Sequence, residues 1–111
     1  MELKIKDRLM LADLYPKESD LVTQILVRDV RNKVQLTQEE IKELDFKVEK
    51  TGYIWNEKKD KGISVDFTDA ELEMLKAGVI KINKDKKVTP ANLNICELIS
   101  KYKPEPIKES K

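Results

Sequence analysis

The chain has 111 residues, enough for one compact domain and too few for two cores of ordinary size. Lys and Arg number 22 against 21 Asp and Glu; a net charge of +1 lacks the basic excess that neutralising a phosphate backbone requires, so nucleic acid is not an expected partner. Histidine is absent, which removes Ser-His-Asp chemistry and the commonest metal ligand, and the lone cysteine, Cys96, has no disulfide partner within the chain.

The opening MELKIKD lacks the long apolar stretch of a signal peptide, and no apolar run approaches the roughly 20 residues of a membrane-spanning helix. A soluble, cytoplasmic protein with no membrane partner is predicted. Leu3, Lys4, Ile5 and Lys6 alternate with the period of a half-buried strand. Leu9, Met10, Leu11, Leu14 and Tyr15 follow and end at Pro16, which reads as a partly helical apolar arm over residues 1–18.

Over 20–34, Val22, Leu26, Val30 and Val34 recur every four positions beside Leu21 and Ile25, so a helix capped by Ser19 or Asp20 is predicted, with a strand over 24–30 as the competing reading. Thr37, Gln38, Glu39 and Glu40 form a capping box that starts a short helix carrying Ile41 and Leu44. Three strands are predicted next, at 46–49, 53–55 and 63–67, with Thr51 and Gly52 as the first turn and the charged loop 56–62 as the second connection. Thr68, Asp69, Ala70 and Glu71 are a second capping box, followed by Leu72, Leu75, Val79 and Ile82 at helical spacing over 69–84. Thr89 and Pro90 open a last helix to about Tyr102. The predicted fold is α+β, a three-stranded antiparallel meander packed against three to four helices, with one domain over 1–103 and a charged, flexible tail at 104–111.

Most candidate chemistry has a structural reading. The acidic groups Glu39, Glu40, Glu43 and Asp66, Asp69, Glu71, Glu73 stand where helices begin, so capping and the helix dipole account for them better than a cation site or a catalytic pair. The 56–62 loop superficially resembles a calcium loop, but Lys58 occupies a position where an oxygen ligand is required, and glycines isolated at 52, 62 and 78 make no phosphate loop. Lys81, Lys84, Lys86 and Lys87 read as a solvated helix end, and Cys96 among Ile95, Leu98 and Ile99 as a buried small hydrophobe. No catalytic, metal-ligating or cofactor-binding residue, no cofactor and no small-molecule substrate are expected.

Two features suggest contact with another protein or a second copy. The arm residues Leu9, Leu11, Leu14 and Tyr15 exceed what one narrow face of a short segment can hide, so they either close the open end of the meander or meet a partner. Trp55 either anchors the core or faces outward as a hot spot, with Tyr53 on its face of the strand and Ile54 on the other. Leu9, Leu11, Leu14, Tyr15, Ile54 and Trp55 are therefore the candidate protein interface.

The succession Tyr15, Pro16, Lys17, Glu18, then Leu36 to Ile41, then Ile54, Trp55, Asn56 and the capped helix at Thr68 resembles small bacteriophage- and prophage-encoded proteins of unknown molecular function. That resemblance spans roughly residues 3–102, implies a phage context and transfers no catalytic residue. The expected function is that of a noncatalytic phage-type accessory protein acting by protein–protein binding. The alternative is a virion or assembly component that self-associates or docks on a structural protein. The expected location is the host cytoplasm, or the virion in the second case.

Overall fold

The computed structural model describes residues 1–101, which form an α+β arrangement of five α-helices and two small antiparallel sheets. In chain order the elements are β1 (Glu2–Leu3), α1 (Ile5–Met10), a 3-10 turn (Leu11–Leu14), α2 (Leu21–Val34), α3 (Gln38–Glu43), β2 (Lys47–Glu49), β3 (Gly52–Ile54), a second 3-10 turn (Glu57–Lys59), β4 (Ile63–Ser64), α4 (Asp69–Lys84) and α5 (Leu93–Lys101). The tail predicted at 104–111 and the helix end predicted at Tyr102 lie outside the described residues.

Local signals set the helix starts. Asp20 accepts from the Thr23 N–H at 2.8 Å and caps α2. At α3 and α4 the hydroxyls of Thr37 and Thr68 accept from the N–H groups of Glu40 and Glu71 at 3.1 Å, and each glutamate accepts from its threonine N–H in return. Thr89 and Asn92 exchange the same pair of bonds, and α5 starts only at Leu93, later than Pro90 suggests. α3 and α4 both stop in a Schellman motif, with Asp45 and Lys86 in the left-handed region at φ 51 and 57. The N–H groups of Phe46 and Lys87 reach back to the Ile41 and Ile82 carbonyls.

The three-stranded meander does not form. β2 pairs with β3 alone, while β4 pairs with β1 in the register Leu3↔Ile63 and Glu2↔Ser64. The Val65 N–H donates to the Met1 carbonyl at 2.9 Å, and the Met1 amine donates to the Val65 carbonyl at 3.0 Å, extending that pairing. The alternation of Ile63, Val65 and Phe67 does carry an inward side: Val65 is buried, and Ile63 and Phe67 pack on the core. Alternation decides which face of a strand turns inward and says nothing about which strand lies beside it. The strand predicted at 3–6 is likewise cut to Glu2–Leu3, because Ile5 already begins α1.

The arm belongs to the core, which removes Leu11 and Leu14 from the candidate interface. Leu11 is 0% and Leu14 2% exposed. In a 3-10 turn residues three apart eclipse one another, so both leucines point the same way, into a cluster with Val27 and Val30 of α2, Leu75 of α4 and Ile99 of α5. On α2 the inward stripe is Val27, Val30 and Val34, while Leu21 and Val22, predicted inward, are exposed on the first turn.

α4 crosses the 3-10 turn at Gly78, where a Cβ would fall on the Leu14 carbonyl oxygen. The backbones can approach this closely only because that position has no side chain. In a free helix Gly→Ala stabilises by about 1 kcal/mol; here Gly78→Ala is expected to destabilise by about 1–3 kcal/mol through overpacking. A urea titration checks this, and an unchanged or higher midpoint would show that the contact yields.

Candidate functional site

The six candidate interface residues are split by the fold. Leu11 and Leu14 are in the core, and Leu9 is partly buried on α1. Tyr15 is half-buried against the core with the Arg31 guanidinium 5.9 Å above its ring; burial pushes its hydroxyl up to about 12, with the Arg31 charge pulling the other way. Ile54 and Trp55 lie together on the β2–β3 hairpin, some distance along the chain from the arm.

That hairpin is held at its base. The Schellman turn at Asp45 sends the chain out of α3, the Phe46 N–H bonds the Ile41 carbonyl at 3.0 Å, and the Asn56 N–H bonds the Leu44 carbonyl at 2.7 Å as the chain returns. α3 is in turn fixed by Arg8, a buried side chain of α1. Its Nη1 donates to Glu40 Oε2 at 2.6 Å, and its Nη2 to Glu40 Oε1 at 3.0 Å and the Gln35 carbonyl at 2.8 Å. Nε donates to the Val34 carbonyl at 2.9 Å. The fork therefore satisfies the C-terminal carbonyls of α2 and the capping carboxylate of α3 together. The Arg8 bonds, more than burial can oppose, hold the Glu40 carboxyl down at about 2 from its ordinary 4.5.

Beyond its base the hairpin stands in solvent. Lys50 and Thr51 make the two-residue connection, and Gly52, which opens β3, takes φ +140, a conformation L side chains rarely adopt. The register Val48↔Tyr53 places Phe46, Val48, Tyr53 and Trp55 on one face and Lys47, Glu49 and Ile54 on the other. Phe46 stacks between the two aromatics, with ring centroids 5.5 Å from Tyr53 and 6.2 Å from Trp55. Val48 is 76%, Ile54 52% and Tyr53 49% exposed, so both faces carry apolar groups in water. Neither outer edge pairs with a further strand among the described residues. Phe46 and Val48 are the members that sequence reasoning missed; the available signal was the two-residue spacing that fixes the register and brings them onto the face of Trp55.

The fate of Trp55 falls between its two readings. It is partly buried in the stack rather than in the main core cluster, and its indole Nε1 is buried without a hydrogen-bond partner among the described residues. The acidic groups stay structural: Glu40 serves Arg8 and the cap, and Glu71 accepts from Lys33 Nζ at 2.6 Å while closing the cap of α4. Cys96 is buried on α5, and burial, with the nearby Asp13 charge, pushes its thiol up and away from the reactive thiolate. A shallow cleft between α1, α3 and the 59–62 loop is lined by Ile5, Arg8, Glu40, Leu44 and Asp60. Its Arg8 and Glu40 pair with each other, and Asp60 accepts from the Ile5 and Gly62 N–H groups. No helix of the described residues is long and apolar enough to cross a membrane. No family model matches this chain, and no curated protein and no solved structure matches it.

Two outcomes follow from this geometry. Because the Glu40 carboxyl is depressed in the folded state, its contribution is fully present above about 4.5 and is lost as pH falls toward about 2. Glu40→Gln is expected to lower stability at neutral pH by about 2 kcal/mol and to flatten the acid limb of a stability-versus-pH curve; parallel curves for parent and variant would contradict it. Trp55→Phe keeps a ring in the stack and removes an unpaired donor, so its melting temperature by circular dichroism should be level or higher, whereas Trp55→Ala should lower it.

Proposed function

We propose that this is a noncatalytic, phage-type accessory protein that acts by binding another protein through the β2–β3 hairpin. The observation that carries this reading is the exposure of Val48, Tyr53 and Ile54 on an element whose contacts are mostly its own and whose edges both lack a further strand among the described residues. A two-stranded hairpin is marginal in water and gains from a neighbour that covers a face or adds a strand. Exposed aromatic and aliphatic groups beside unpaired main-chain donors and acceptors are the usual ingredients of such a contact.

Buried Leu11 and Leu14 have no part in this surface, so the partner is met by Ile54 and Trp55 with Phe46, Val48 and Tyr53. The host cytoplasm is the matching place of action. The second reading, a virion or assembly component that self-associates, is favoured by the charge pattern of β2 developed below.

The test is affinity capture from phage-infected cells with the parent and with Tyr53→Ser/Ile54→Ser. Both positions are about half exposed and neither lies in the main core, so the double variant should keep the fold, with a melting temperature lowered only by the loss of the Tyr53 ring from its stack on Phe46. Recovery of a protein by the parent that the variant fails to hold supports the reading; identical captured sets from two equally folded proteins would overturn it.

A further inference from the structure

We propose that β2 pairs antiparallel with β2 of a second copy of this chain, joining two hairpins into one four-stranded sheet. The proposal rests on the hairpin being the binding element and names one occupant for its open edge.

The hydrogen-bond phase of the hairpin decides which groups face that edge. The ladder pairs Glu49 with Gly52, Val48 with Tyr53 and Lys47 with Ile54. A two-residue connection makes Glu49 and Gly52 exchange their N–H···O bonds, and alternation makes Lys47–Ile54 the next bonded pair. Val48 and Tyr53 are then the non-bonded pair between them. The N–H and C=O of Val48 consequently point away from β3, at the residue that is 76% exposed.

A two-fold axis through Val48 uses both groups. Val48 meets Val48 of the second copy in a bonded pair, with two reciprocal N–H···O=C bonds. In that register Lys47 falls opposite Glu49 of the second copy and Glu49 opposite its Lys47, so the strand is electrostatically complementary to itself read backwards. Natural sheets protect open edges with charges that repel a second copy, and a lysine-only edge here would do so; the Lys47–Val48–Glu49 pattern invites one instead. The β3 edge offers no such match, since a two-fold at Tyr53 sets Gly52 against Ile54. An axis perpendicular to the sheet also brings Phe46, Val48, Tyr53 and Trp55 of both copies onto one side, doubling the apolar face available to a target.

Sedimentation of the full chain from micromolar to millimolar concentration tests this. A reversible monomer–dimer equilibrium is expected. Lys47→Glu or Glu49→Lys alone should weaken it about tenfold, because each reverses two cross-strand charge pairs. The double swap Lys47→Glu/Glu49→Lys should restore the dimer, and an equimolar mixture of the two single variants should form a heterodimer. These side chains are exposed, so unchanged melting temperatures certify that each variant is folded. A parent that stays monomeric throughout, or a dimer indifferent to the swaps, would overturn the pairing. A monomeric parent that still holds a target through Tyr53 and Ile54 overturns only this inference and leaves the binding reading intact. A dimer with no other captured protein supports the pairing and removes a separate target.

Discussion

The Arg8 guanidinium is the point through which α1, α2 and α3 are set against one another. Its donors are shared between two carbonyls at the end of α2 and both oxygens of Glu40 at the start of α3. A planar fork suits this task in a way an ammonium would not, because two directions are served at once and in fixed relation. Burying the charge is costly, and breaking a fully buried pair from one side typically costs about 3–5 kcal/mol, a large share of the roughly 5–15 kcal/mol a domain has in total. Glu40 keeps part of its surface in water, so the loss on its side is smaller. The benefit lies in position as much as in energy. With Arg8 in place the chain leaves α2, turns through Gln35 and Leu36, and enters α3 at one angle, which aims the hairpin that follows.

A second capping glutamate repeats the device. Lys33 on α2 reaches Glu71 at 2.6 Å and the Asp66 carbonyl at 2.8 Å, tying the last turns of α2 to the start of α4. Glu71 is almost wholly buried, unlike Glu40. In each case one carboxylate closes a local capping box and receives a cation from an element distant in the chain. The local and tertiary roles are compatible because Oε1 has two lone pairs: in both glutamates it accepts from the threonine N–H of the cap and from the cation together. Asp60 works similarly at α1, accepting from the Ile5 N–H at 3.0 Å and the Gly62 N–H at 3.2 Å.

These ties account for a rigid base and an exposed projection. Apolar residues of the arm, α2, α4 and α5 close one core, and the polar forks orient α3 at its margin. The hairpin then extends with an aromatic stack as its own small core, which explains how it keeps shape with no element of the described residues covering it. A short, stacked hairpin with a fixed base has little conformational freedom left to lose on forming a contact.

Much of the local structure is legible in the sequence. The helices at 20–34 and 69–84, both threonine capping boxes and the 46–49 and 53–55 strand pair depend on neighbours a few residues away, which spacing and turn chemistry report directly. The candidate site was legible in part: Trp55 and Ile54 stand out by type and alternation, but exposure of Val48 and stacking of Phe46 depend on what fails to cover the hairpin. Partner choice was not legible. The 63–67 alternation is equally consistent with β3 or β1 beside it, and the apolar arm equally with a core or an interface. Periodicity specifies which side of an element is apolar, while the identity of the opposing surface is settled by long-range packing. Here Leu11 and Leu14 are buried because a 3-10 turn aligns them and Gly78 lets α4 close over that turn, and no local pattern contains that coincidence.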